Sequence, residues 1–158
     1  AMTKTDAMRR IRLLLVDDDL VMVRLLTNVI DRSFGDEIEM QSWTNPEKAR
    51  ECLEHELFDV LITDLKMPGV DGLSLLRCAK RRNPLTQVIF VTGHSSSHAL
   101  VDALESGATD YLLKPVVHSE LVELLAQALK RVRRWRGALA GSLHSQERRS
   151  QHTVPVAP

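Results

Sequence analysis

The stretch FDVLITDLKMPGVDG, Phe58 to Gly72, decides the fold. Asp59 to Thr63 is a short apolar run with branched residues, the pattern of a strand buried on both faces, and Pro68-Gly69 punctuates the loop that follows. Asp64 is therefore pinned at the carboxyl edge of a sheet. In open α/β sheets ligands bind at that edge, so a carboxylate there is a stronger functional candidate than one on a helix face.

Working outward, the apolar runs recur at regular intervals and each is followed by a helical pattern. Ile11 to Val16 (IRLLLV) forms a first strand ending in Asp17-Asp18-Asp19. Val21, Leu25, Val29 and Met22, Leu26, Ile30 then keep helical spacing until Gly35. Glu37 to Trp43 alternates, with Ile38, Met40 and Ser42 on one side, which suits an edge strand. Asn45 caps the next helix with Pro46 at its first position, and that helix runs to about His55 with Ala49, Cys52 and Leu53 inward. After the opening stretch, Asp71-Gly72 starts a helix bearing Leu73, Leu76 and Ala79, ended by Asn83-Pro84. Gln87 to Val91 makes strand four, followed by Thr92-Gly93-His94. Ser95 to Ser97 offer caps to a helix with Leu100, Val101 and Leu104 apolar, closed by Gly107. Thr109 to Leu113 is strand five, ending in Lys114-Pro115. Ser119 is expected to cap a last helix with the stripe Leu121, Leu124, Leu125, Ala128, Leu129, Val132 and Trp135. Five βα units imply a doubly wound α/β fold, a five-stranded parallel sheet with helices on both faces. The alternating second strand favours the flavodoxin-like order 2-1-3-4-5.

Composition bounds the rest. A chain of 158 residues, 44% hydrophobic and 27% charged, supports one sizeable core. The net charge of zero hides an asymmetry: residues 130–158 carry seven cations against Glu147 alone, leaving residues 1–129 with 14 basic and 20 acidic side chains. An acidic body argues against a nucleic-acid surface on the domain. Cys52 and Cys78 lie on amphipathic helices without metal-ligand spacing and read as reduced thiols of a cytoplasmic protein. No apolar run is long enough to span a bilayer, and no repeat is present. Residues 1–10 are expected to be flexible, 11–136 to form the domain and 137–158 to be a disordered linker or tail, cut before an output domain.

Four of the five strands end in a polar group: Asp17 and Asp18, Asp64, Thr92, and Lys114. A common sheet edge brings them together. Three carboxylates that close repel at roughly 4 kcal/mol per pair at moderate dielectric, so the cluster needs cations. Lys114 supplies one charge. The oxygen-only donor set calls for a hard divalent ion, and Mg²⁺ fits best. A carboxylate beside Mg²⁺, a lysine and a threonine hydroxyl is equipped to attack phosphorus, which makes Asp64 a candidate phosphoryl acceptor.

VDDD at 16–19, TDLKMPGVDG at 63–72, VTGH at 91–94 and GATDYLLKP at 107–115 together resemble the receiver domains of two-component response regulators over residues 11–133. That resemblance implies phosphorylation of Asp64 by a sensor histidine kinase or phosphotransfer protein. It implies Mg²⁺ held by Asp64, Asp18 and the Lys66 backbone carbonyl, with Asp17 acting through water. Thr92 and Lys114 would bind the phosphoryl oxygens, and Tyr111 would rotate inward behind Thr92. Lys66 and His94 fall at positions flanking the phosphoryl group. Neither can become a carboxylate that orients water, so slow self-dephosphorylation is expected rather than turnover enzymology. Some relatives also imply a homodimer through the face around strand five and the last helix.

One enzymatic rival is a haloacid-dehalogenase-like phosphohydrolase, because Asp17-Asp18-Asp19-Leu20-Val21 after a strand matches that family's nucleophile motif with Asp17 as nucleophile. That family needs an acidic motif downstream of the lysine, and no Asp follows Asp110. A degenerate receiver that never accepts phosphate is opposed by the complete set Asp17, Asp18, Asp64, Thr92 and Lys114. His94 and His98, four apart, have no third ligand and read as a solvated helix start. Lys130, Arg131, Arg133, Arg134 and Arg136 complement the dipole at the last helix's carboxyl end, a solvated terminus or a connector to an output domain.

Overall fold

The computed structural model of the chain describes residues 9–93 and 96–151. Its strands are β1 (Ile11–Val16), β2 (Ile38–Trp43), β3 (Val60–Thr63), β4 (Gln87–Thr92) and β5 (Asp110–Leu113). All neighbouring pairs are parallel, in the order β2-β1-β3-β4-β5 expected from the sequence. The helices are α1 (Leu20–Phe34), α2 (Pro46–His55), α3 (Gly72–Arg82), α4 (Ser97–Glu105) and α5 (His118–Gln151).

Alternation along the central strands divides the core in two. Leu13, Leu15, Ile62, Ile89 and Val91 face α1 and α5, meeting Leu26, Ile30, Leu121, Leu125 and Leu129. Leu14, Val16, Leu61, Val88 and Phe90 face the other way, against Leu53, Leu75, Leu76 and Ala103. Short polar side chains set the helix starts. Asp19 accepts from Val21 N–H at 2.9 Å, Asn45 from Glu47 at 3.0 Å, Asp71 from Ser74 at 2.8 Å and Ser96 from Ala99 at 3.2 Å. The loops after the first four strands are thus each tied to the helix that follows.

Several expectations are corrected at the sheet's margins. Ser42 is exposed while Trp43 packs partly into the second core, so β2 turns its last aromatic inward. On α4 the buried residue is Ala103, whereas Val101 and Leu104 are exposed. Ala103 joins the second core. Arg10, in the segment expected to be loose, donates to Asp36 O at 2.8 Å and Ile38 O at 2.9 Å; residues 1–8 lie outside the described residues.

The largest correction concerns α5. It starts at His118 with Glu120 and Leu121 N–H groups on Val117 O, so Ser119 lies inside the helix. It then runs 34 residues to Gln151 instead of yielding to disorder after Arg136. Gly137 and Gly141 each cost a helix interior roughly 1 kcal/mol relative to Ala, so the continuation needs an anchor. Trp135, expected inward, is 52% exposed, and Arg136 is 6% exposed in its place. Residues 152–158 lie outside the described residues. Among the described residues, no helix is long and apolar enough to cross a membrane.

Candidate functional site

The site forms where β1, β3, β4 and β5 end. Asp64 N–H donates to Val16 O at 3.1 Å and Asp17 N–H to Trp43 O at 3.2 Å, so both acids continue the sheet's hydrogen-bonding pattern by one residue. Their side chains cannot drift with a loop. Lys114 N–H donates to Thr92 O at 2.9 Å, which locks the end of β5 against β4; the Lys114–Pro115 peptide is cis.

Lys114 Nζ bridges the two buried acids, 2.9 Å from Asp17 Oδ2 and 3.0 Å from Asp64 Oδ2. Asp17 Oδ1 accepts from Asp19 N–H at 2.9 Å, and Asp64 Oδ1 lies 3.4 Å from Lys66 N. Asp17, Asp18 and Asp64 each present a carboxylate oxygen within 4.8 Å of the others, close enough to share one cation. Asp18 is exposed. This all-oxygen donor set fits a hard divalent ion and offers nothing to a soft one.

Burial pushes the Asp17 carboxyl above the usual carboxylate range, by more than the Lys114 hydrogen bond and charge pull it back. Burial also opposes the Lys114 charge, but its hydrogen bonds to Asp17 and Asp64 prevail and raise it above an ordinary lysine. By count the site is short of positive charge, because one ammonium faces three carboxylates.

The other expected residues divide. Thr92 is buried at the end of β4 and paired through its carbonyl to Lys114. Lys66 is exposed in the loop beyond Asp64. Tyr111 is 48% exposed on β5, turned outward rather than behind Thr92. His94 lies outside the described residues. Two features were missed from sequence. Gly72 N–H donates to Leu65 O at 2.9 Å and packs directly beneath the Asp64 carbonyl. Arg136 forms a buried ion pair with Asp59 at the opposite sheet edge, 2.6 Å apart; the signal was its place four residues after Val132, on the apolar stripe.

Comparison with known proteins converges on the same architecture. The family model of the response regulator receiver domain matches residues 13–126. The response regulator protein PilR of Pseudomonas aeruginosa is 37% identical over 123 residues, covering 78% of this chain and 27% of PilR. The DNA-binding transcriptional regulator NtrC of Escherichia coli is 38% identical over 114 residues, covering 72% of this chain and 24% of NtrC. This chain thus spans about a quarter of the length of these curated relatives. A CheY-like response regulator receiver domain protein from Methanospirillum hungatei superposes with a TM-score of 0.72 at 28% identity, covering 80% of this chain and 98% of that one. The signal receiver domain of an HD domain-containing protein from Pseudomonas fluorescens gives 0.71 at 27% identity, covering 78% and 98%. The phosphohydrolase alternative finds no support among these matches. With the acids, the lysine and the strand order all falling inside the matched segment, the chain belongs to the response regulator receiver domains, the phosphoacceptor modules of two-component signalling.

Proposed function

We propose that Asp64 is the phosphoacceptor of this receiver, taking its phosphoryl group from a sensor histidine kinase or phosphotransfer protein in the cytoplasm, with Mg²⁺ at the acidic cluster. The observation that carries this reading is the Lys114 bridge to Asp64 Oδ2, 3.0 Å long, inside a group of three carboxylates. Bound Mg²⁺ supplies the missing positive charge to the acids and to phosphate oxygens. Asp18, Asp64 and the Lys66 carbonyl would hold it. By the likeness to the receiver family Asp17 would act through water, while its oxygens also accept from Asp19 N–H and Lys114.

An Asp64 oxygen forms the new bond to phosphorus, and the donor's imidazole departs with the electron pair of the broken P–N bond. Lys114, positioned between Asp17 and Asp64, transfers its attention to an oxygen of the incoming group, and the Thr92 hydroxyl binds another. The added charge favours the conformation that satisfies it, with Tyr111 turned from solvent towards Thr92. The likeness to NtrC, a DNA-binding transcriptional regulator, supports transcriptional control through an output domain.

Acetyl phosphate labelling of the chain tests the chemistry. Mass spectrometry is expected to find one labile phosphoryl group in Mg²⁺ and none in EDTA; equal labelling without metal refutes the proposed site. The lifetime of that group reports on Lys66 and His94. Replacing either with a residue that can orient water, Lys66→Asn or His94→Glu, is expected to shorten it severalfold, and unchanged lifetimes in both variants dismiss their role.

The raised Asp17 carboxyl also sets a stability prediction. A raised acid stabilises the fold below its unfolded pKa and loses that contribution as pH rises through the folded value, so ionised Asp17 destabilises the metal-free protein near neutrality. Asp17→Asn is therefore expected to raise metal-free stability at pH 7, with Lys114 still held by Asp64. Added Mg²⁺ should stabilise the parent protein more than the variant, which keeps Asp18 and Asp64 but loses one of the three acids. Urea denaturation with and without Mg²⁺ checks both signs, and a less stable metal-free variant contradicts the charge argument.

A further inference from the structure

We propose that the buried Asp59–Arg136 ion pair is a clamp that positions the output end of α5. It fixes the helix to the amino edge of β3, so that its continuation leaves the domain as a rigid rod in a set direction. Arg136 Nη2 lies 2.6 Å from Asp59 Oδ2, with the two side chains 7% and 12% exposed, while Nη1 donates to Arg9 O at 2.8 Å. The same Asp59 oxygen accepts from Arg12 N–H at 2.9 Å. A guanidinium fork held by two acceptors on different segments fixes orientation as well as distance, which a lysine ammonium does not.

The base of the clamp belongs to the sheet. Asp59 N–H donates to Arg12 O at 2.8 Å and Gln87 N–H to Asp59 O at 2.9 Å, so Asp59 is stitched to the β1 and β4 sides before β3 begins. Asp59 and Asp64 bracket that strand. The acceptor at one end and the anchor of α5 at the other therefore share a rigid element.

Beyond Arg136 the helix has little to hold it. Gly137 and Gly141 favour fraying, Leu139 and Leu143 are partly exposed, and Ala140 is the last buried side chain. The Arg133–Glu37 pair, 3.4 Å apart, is about half exposed on both sides and adds little. A buried ion pair costs desolvation and is poor evidence for stability, so its contribution here is register and direction. Arg136 is accordingly a positioning residue for whatever α5 connects to.

Hydrogen exchange of the full chain, read by mass spectrometry, tests this with Arg136→Met and with the neutral pair Asp59→Asn/Arg136→Gln, which retains hydrogen-bonding groups and guards against global unfolding. Amides 138–151 are expected to be protected in the parent chain and to exchange at least about tenfold faster in both variants, with the amides of α1 and of β1 beyond Arg12 unchanged. Acetyl phosphate labelling should persist in both, which separates failure of the clamp from failure of the acceptor assignment. Three outcomes overturn the proposal: unprotected amides 138–151 in the parent chain, retained protection in both variants, or acceleration spread evenly through the domain.

Discussion

Asp64→Asn is expected to reduce acetyl phosphate labelling to background while leaving the domain folded. The substitution preserves shape and an acceptor oxygen for Lys66 N–H, but it removes the charge that makes the carboxylate a nucleophile. Lys114 keeps Asp17 as a partner, 2.9 Å away, so the lysine is not left unpaired. Three mutually repelling acids become two, and stability to urea should therefore be equal or higher in the absence of metal. The combination separates loss of chemistry from loss of structure. Labelling that survives in the variant removes Asp64 from the acceptor role, and a phosphoryl group found on Asp17 restores the phosphohydrolase order of residues.

Why the acidic cluster was legible and the Asp59–Arg136 pair was not follows from how each residue is placed. Asp17, Asp64, Thr92 and Lys114 follow or end short, largely apolar runs, and a parallel sheet gathers such ends at one edge without further information. Local pattern was enough. Arg136 and Asp59 are 77 residues apart, and nothing beside either one announces the other. A cation near a helix carboxyl end is ordinarily solvated, and Gly137 ordinarily stops a helix, so two sound local rules gave the wrong terminus. Tertiary anchoring overrode both. On α4 the apolar stripe was present in sequence, but Ala103 is the residue that joins the second core while Val101 and Leu104 stay exposed. Edge elements are where pattern alone underdetermines the buried face.

Gly72→Ala is expected to destabilise the domain by about 3 kcal/mol, the upper part of the overpacking range, and to slow labelling beyond what the unfolded fraction explains. A Cβ there would run into Asp64 O and stand 2.9 Å from Leu65 Cα and 2.9 Å from Phe90 Cε1. Two of these are backbone atoms, which cannot rotate away. The Asp64 carbonyl is also held by Thr63 Oγ1 at 2.9 Å, so relief requires moving the β3–α3 junction that carries Asp64. Gly69 provides the contrast. It has φ +86 with nothing within 4 Å of a Cβ, so Gly69→Ala meets backbone strain of roughly 1–2 kcal/mol and no clash. Urea denaturation and labelling rates of the two variants distinguish contact from conformation. If the acceptor's position depends on the Gly72 contact, both variants lose stability but only Gly72→Ala loses phosphorylation rate per folded molecule; equal rates would show that the Asp64 carbonyl can move without disturbing its carboxylate.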